Sequence, residues 1–178
     1  IRDRITTNAG LWRYEIGDTI EFTDTNPYRF LITGRTKYFI NLVGEEIILD
    51  NAERALLIAC KKCNAVVDEY MAGPAGIEDG EEAKHQWLFE FVKPPKDLSV
   101  FGDALDNALK SLNSDYEAKR YRNMILQPPY IQSLPQGTFY KWLKAKGKLG
   151  GQHKIPRLVN NRIIIEEVLK LKDDQIIT

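Results

Sequence analysis

Residues 85–93, HQWLFEFVK, alternate so that Trp87, Phe89 and Phe91 share one face of a strand. Pro94-Pro95 closes that strand, because proline has no N–H to give to a ladder. Three aromatics on one face read as core rather than as a stacking platform, and a core face needs a cover. The longest helix candidate, residues 99–122, comes next, with Phe101, Leu105, Ala108, Leu109, Leu112 and Tyr116 in one apolar stripe. A striped helix beside a one-faced strand is the unit of helices layered on a sheet.

The remaining segments extend that layer. Residues 11–22, LWRYEIGDTIEF, read as two short strands broken at Gly17-Asp18, followed by the turn cluster TDTNP. Residues 28–33 and 37–42 flank Gly34-Arg35 and read as a hairpin or bent strand pair. Residues 50–66 carry Ala52, Ala55, Leu56, Ala59 and Cys63 at helical spacing, with Asp50 as cap and Glu53 completing a capping box. A strand over 65–72 and an acidic, Gly-rich loop over 73–83 follow. Residues 124–133 read as an edge strand, since Pro128-Pro129 cannot donate, and 138–146 as a short helix ended by Gly147. A basic Gly-rich loop over 148–157 leads to a last helix over 161–171, capped by Asn160 or Asn161. The expected class is α+β: a small mixed β-sheet flanked by helices, preceded by a β-rich piece.

Composition narrows the function. The 178 residues carry 25 Lys+Arg against 25 Asp+Glu, a zero balance that argues against a nucleic-acid binder, which has a basic excess. No apolar run nears the roughly 20 residues that span a bilayer, and the opening IRDRITTNAG lacks the apolar core of a signal peptide, so a cytoplasmic setting is expected. Residue 1 is Ile, and the methionines are Met71 and Met124, which reads as a piece of a longer chain or a processed N-terminus.

Four motifs bear on chemistry, each with an ordinary reading beside the functional one. In Tyr14-Glu15-Ile16-Gly17-Asp18, an acid after a glycine at a strand end can hold a ribose diol, or can be a plain turn Asp. Gly34-Arg35-Thr36-Lys37, with Ile40, Gly44 and Ile47, sets a stiff β segment between two glycines, which suits a hinge between rigid bodies. Arg35 there can meet phosphate or ribose, or be a surface cation on a turn. In Gly150-Gly151-Gln152-His153-Lys154-Ile155-Pro156-Arg157, the glycines allow close approach to a ligand and Pro156 holds Ile155 extended. Lys148, Lys154 and Arg157 would then converge on an anion; a solvated basic loop is the ordinary alternative. Cys60-Lys61-Lys62-Cys63 has no second cysteine pair for zinc and lies late in a helix, away from the N-terminal dipole that activates thiols, so it reads as packing. His85 reads as a strand-end residue, and GIEDGEE at 76–82 as a solvated tip.

The order of these motifs, Y-x-x-G-D, then G-R-x-x-x-x-I-x-x-x-G-x-x-I, then a late Gly-rich loop with one lysine, resembles the adenylate-forming superfamily. The texture of GLWRYEIGD, YRFLITGRTKYFINLVGEEI and GTFYKWLKAKGKLGGQHKIPRLV is similar to its auxin-responsive acyl-acid amido synthetases, bacterial members in particular. By position, the resemblance implies that Asp18 holds the ATP ribose, with Tyr14 near the nucleotide, and that Arg35 of the hinge reaches the nucleotide as well. Lys37 falls where the superfamily places a hinge Asp or Lys. Lys154 matches the lysine that a mobile C-terminal domain brings to the α-phosphate and the substrate carboxylate.

The same resemblance implies residues 1–33 as the end of a large N-terminal domain, 34–44 as the hinge and 45–178 as the small C-terminal domain. It implies ATP and Mg2+, the latter held mainly by a preceding domain that also carries the phosphate loop and the acyl pocket. The implied reaction joins a small-molecule carboxylic acid to AMP and passes the acyl group to an amine, an amino acid, with this chain alone inactive. Asn41 stands where many relatives carry Lys, and Glu45-Glu46 stand where plant members carry one, which argues against plant-like substrate positioning. The alternatives are an acyl-CoA-type thioester synthetase domain and a non-catalytic anion-binding module.

Overall fold

The computed structural model describes residues 2–10, 12–35, 39–76, 82–147 and 154–173, with residues 2–4, 15–19, 33–35, 172 and 173 described as backbone. Three antiparallel strands come first: β1 (Arg2–Ile5), β2 (Tyr14–Thr25) and β3 (Tyr28–Arg35). β2 runs unbroken through Gly17-Asp18, so the two short strands expected there are one, and the irregularity is a register shift between Thr19 and Ile20. The chain reverses at Asn26-Pro27, a cis peptide, where Asp24 Oδ1 accepts the Asn26 N–H at 3.0 Å. Gly34-Arg35 is therefore not a hairpin tip. β3 pairs back with β2, while β4 (Phe39–Ile40) pairs with β5 (Ile47–Ile48). Burial explains the choice: Ile40 and Ile47 are register partners and both fully buried, whereas Phe30, Leu31 and Ile32 of β3 stay exposed.

The C-terminal body follows. Its elements are α1 (Leu49–Cys63), β6 (Val66–Ala75), β7 (Lys84–Lys93), α2 (Leu98–Leu112), α3 (Ser114–Arg120), β8 (Tyr130–Leu134), α4 (Thr138–Ala145) and α5 (Arg162–Asp173). β7 is central, antiparallel to β6 and parallel to β8, so the sheet is mixed as expected. β8 is an edge strand that starts after Pro128-Pro129, shorter than the sequence reading had it. β6 runs on to Ala75, so Gly73 and Pro74 belong to a strand rather than to the acidic loop; residues 77–81 of that loop lie outside the described residues.

The alternation of β7 divides two cores. On one side Trp87, Phe89 and Phe91 meet Phe101, Leu105 and Leu109 of α2 and Ala52, Ala55 and Leu56 of α1. Phe101 stands edge-on to Phe89 and Phe91, with centroids 5.4 and 5.5 Å away, the arrangement that ring quadrupoles favour. On the other side Leu88 and Met71 pack with Phe139 and Trp142 of α4 and Ile165 and Val168 of α5. Helices thus cover both faces. Glu90, on the α4 side, accepts the N–H groups of Gly137 and Phe139 at 2.7 and 2.6 Å and so supplies the negative charge a helix start favours.

Two local corrections concern helix ends. Asp50 lies in the first turn of α1 and pairs with Arg54, while Asn51 Oδ1 accepts the Ile48 N–H at 3.3 Å in the capping role. The candidate helix over 99–122 is broken at Asn113, whose extended backbone (φ −143°, ψ 107°) ends α2 and starts α3. Asn113 Oδ1 caps α3 through the Tyr116 N–H at 2.8 Å, and its Nδ2 donates to the carbonyls of Glu45 and Glu46 at 3.0 and 3.3 Å. Across the break, the buried Asp106 and Arg120 form a bidentate pair at 2.8 and 2.9 Å, with Tyr116 Oη donating to Asp106 at 2.7 Å.

The loop between β4 and β5 is held by a buried carboxylate. Glu45 is fully buried and accepts the N–H groups of Leu42 and Val43 at 2.7 and 2.8 Å. Its Oε1 also lies 2.7 Å from Nε2 of the buried His85, on β7, whose ring stacks on Tyr116. Burial alone would raise the Glu45 pKa, but the His85 hydrogen bond and the two amides outweigh it and hold the group at about 2, below the ordinary 4.5. A depressed carboxylate stabilises the fold above its ordinary pKa, and that contribution is lost as pH falls through the depressed value. The melting temperature should therefore drop between pH 4.5 and about 2, and Glu45→Gln should make that acid limb shallower. Superimposable acid limbs in the two proteins would contradict the pairing.

Candidate functional site

The antiparallel register of β2 and β3 sets Asp18 directly opposite Arg35, next to the pair Thr19–Gly34. Two residues that the sequence places in separate motifs are thus neighbours across one pair of strands. Tyr14 opens the same strand as Asp18, opposite Ile5, and is exposed. Lys37, Lys148 and Gly150 to His153 lie outside the described residues.

Lys154 begins a segment that is tied to the edge of β6. Ala72 donates its N–H to the Arg157 carbonyl at 2.8 Å, and Val159 donates to the Ala72 carbonyl at 2.9 Å, so Leu158 makes a parallel bridge with Ala72. Gly73 makes this approach possible. A Cβ there would lie 2.6 Å from Val159 Cγ2 and 3.2 Å from Ile165. Lys154 itself is exposed, and among the described residues it forms no ion pair. An exposed lysine just ahead of an anchored segment presents a compact point charge that suits an anion.

Arg157 departs from expectation. It does not converge with Lys154 on an open anion site. Its guanidinium pairs with Glu53, lies 4.0 Å from Glu69 and sits over the Tyr70 ring at 5.4 Å from the centroid. Glu53 also accepts the Tyr70 hydroxyl at 3.1 Å. Partial burial raises the Glu69 carboxyl, and Arg157 pulls it partly back. The arginine thus pins the segment to α1 and β6. Cys60 and Cys63 pack against the core, and burial pushes the Cys60 thiol up, away from reactivity.

Three residues that the sequence reading gave other parts hold this region together: Glu45, His85 and Asn160. His85 was open to detection, because period-2 alternation places it on the same face as Trp87, Phe89 and Phe91. Asn160, expected as a helix cap, has its Oδ1 3.0 Å from the N–H of Asn41, while Asn41 Oδ1 accepts the Gly44 N–H at 2.8 Å. Gly44 takes a left-handed φ of 98° to close that turn.

The sequence and the fold have known counterparts. The profile of the GH3 family C-terminal domain matches residues 50–163, and that of the GH3 family central domain matches residues 4–35. The chain belongs to the GH3 family. It is 28% identical over 174 residues to indole-3-acetic acid-amido synthetase GH3.6 of Arabidopsis thaliana, and 27% identical over 174 residues to GH3.5 of the same plant. Each alignment takes in 91% of this chain and 28% of the relative, so the chain spans about 28% of the length of these curated relatives. Its fold superposes on the GH3.15 acyl acid amido synthetase with a TM-score of 0.75 at 20% identity, over 97% of this chain and 32% of that one. The same enzyme in complex with 2,4-DB matches with a TM-score of 0.75 at 18% identity, over 95% of this chain and 32% of that one. At these identities the two structures speak to the fold.

The packing at Gly73 generates a stability prediction. Gly73→Ala should cost about 1–3 kcal/mol in denaturant unfolding, as overpacking does, and Val159→Ala in the same chain should recover part of the loss. A Gly73→Ala protein of unchanged stability would contradict the close approach of the Lys154 segment to β6.

Proposed function

We propose that this chain is the C-terminal portion of an ATP-dependent acyl-acid amido synthetase, a ligase that adenylates a carboxylic acid and transfers the acyl group to an amino acid. The family profiles support the reading because they cover the stretch with Tyr14, Asp18 and Arg35 and also the stretch with Lys154. The observation that carries it is Lys154: an exposed amine on a segment whose backbone is hydrogen-bonded to β6. Relatives named as amido synthetases extend the reading to a small organic acid and an amino acid as substrates.

In this reading ATP supplies the adenylyl group that activates the acid. The Asp18 carboxylate suits the two hydroxyls of a ribose, and Arg35, its register partner, suits the adjoining phosphate or ribose. Tyr14 stands by the nucleotide from the start of β2. As a substrate carboxylate oxygen bonds to the α-phosphate and pyrophosphate leaves, Lys154 offsets the negative charge that gathers between them. In the second step the amine forms a C–N bond to the acyl carbon and AMP departs. Between the steps the C-terminal body pivots within the hinge span, residues 34–44. The reading leaves Mg2+ mainly to the rest of the full-length protein, and no step here runs through it. The setting proposed is cytoplasmic; no helix among the described residues is long and apolar enough to cross a membrane.

In the full-length protein, Lys154→Ala should lower carboxylate-dependent ATP–pyrophosphate exchange by about 10²–10³-fold, the usual loss on removing one preorganised electrostatic contact. Exchange at the unsubstituted rate would sink the assignment of Lys154. The 178-residue chain alone should show no exchange.

A further inference from the structure

We infer that Asn160 is a positioning residue, which joins the far end of the hinge to the segment bearing Lys154 so that the two move as one body. The inference rests on the amido synthetase reading for its catalytic consequence, and on geometry for the coupling itself.

The chain of contacts is continuous. Ile40 of β4 is fully buried in the α1–α2 core, and Asn41 directly after it donates its N–H to Asn160 Oδ1 at 3.0 Å. The carboxylate of Glu45 holds the next two amides, Leu42 and Val43, and the Asn113 side chain holds the carbonyls of Glu45 and Glu46. Asn160 adjoins Val159, which is hydrogen-bonded to Ala72 and fills the space left open at Gly73. From Val159 the segment runs back through Arg157, paired with Glu53, to Lys154. Residues 39–46 are therefore bound to the C-terminal body, and the Asn41–Asn160 hydrogen bond is their direct link to the lysine segment. A side-chain oxygen is what the link requires. Asp at position 160 supplies one, and Ala does not.

The experiment uses the full-length protein with Asn160→Ala, Asn160→Asp and, as a control, the neighbouring Asn161→Ala. Two readouts are taken: carboxylate-dependent ATP–pyrophosphate exchange, and amide hydrogen exchange at Asn41 and over residues 154–159. Asn160→Ala should lower kcat for exchange by roughly fivefold, the worth of one hydrogen bond, with KM for ATP and the melting temperature little changed. Asn160→Asp should restore the rate, and Asn161→Ala should match the unsubstituted enzyme. In Asn160→Ala the amides of Asn41 and Val159 should lose protection together. Equal impairment in Asn160→Ala and Asn160→Asp, or lost protection at Asn41 alone, would overturn the coupling. An unsubstituted protein with no exchange activity would defeat the amido synthetase reading, and hydrogen exchange would still decide the coupling.

Discussion

The buried carboxylate of Glu45 is the contact on which the C-terminal body depends. A carboxylate removed from water is costly unless donors surround it, and here the Leu42 and Val43 amides and the His85 ring do so. In return the group fixes the turn whose Leu42 and Val43 side chains pack against the core. That turn carries the chain from β4 to β5 and on into α1, so its geometry sets where the first helix starts. Asn113 reads the same turn from the other side and, in doing so, breaks the α2–α3 helix. The same device recurs. Glu90 receives the amides at the start of α4, and Asp106 receives Arg120 and Tyr116 across the helix break. Acids that composition counts as surface charge are, at these points, receptors for backbone and side-chain donors inside the fold.

What the sequence made legible was periodic. Trp87, Phe89 and Phe91 on one face, and the stripe from Phe101 to Leu109, lead to a helix-covered sheet because alternation and helical spacing are local properties. The break at Asn113 was hidden because the stripe passes through it: Leu112 and Tyr116 keep helical spacing on either side. The partners of β3 and β4 were misread because strand pairing is non-local. Gly34-Arg35 has the composition of a turn, yet the deciding fact is that Ile40 finds a buried partner in Ile47. At the site, the opposition of Asp18 and Arg35 depends on register, which no single-strand pattern contains. Arg157 belonged to a basic loop in sequence and to Glu53 and Tyr70 in space, because its partners come from α1 and β6.

These contacts divide the chain into a framework and the groups left free for chemistry. Arg157, Gly73, Val159 and Asn160 hold the segment that follows Lys154, and Lys154 itself stays exposed. The proposed role of Lys154 would draw on this division, since an electrostatic contact helps a transition state only when its position is set in advance. The two departures from the family texture take on a physical meaning as well. Asn41 caps the Gly44 turn and donates to Asn160, and Glu45 is the buried receptor, so both positions are structural in this chain.

The proposed reaction of the full-length protein joins a carboxylic acid to an amino acid through adenylation. Mass spectrometry of the products made by the full-length protein from ATP, a panel of small carboxylic acids and a mixture of amino acids tests it most directly. An N-acyl amino acid should form, with AMP and pyrophosphate in equal amounts and only when a suitable acid is present. ADP and phosphate as the nucleotide products, or an acyl-CoA thioester in place of the amide when CoA is supplied, would contradict it.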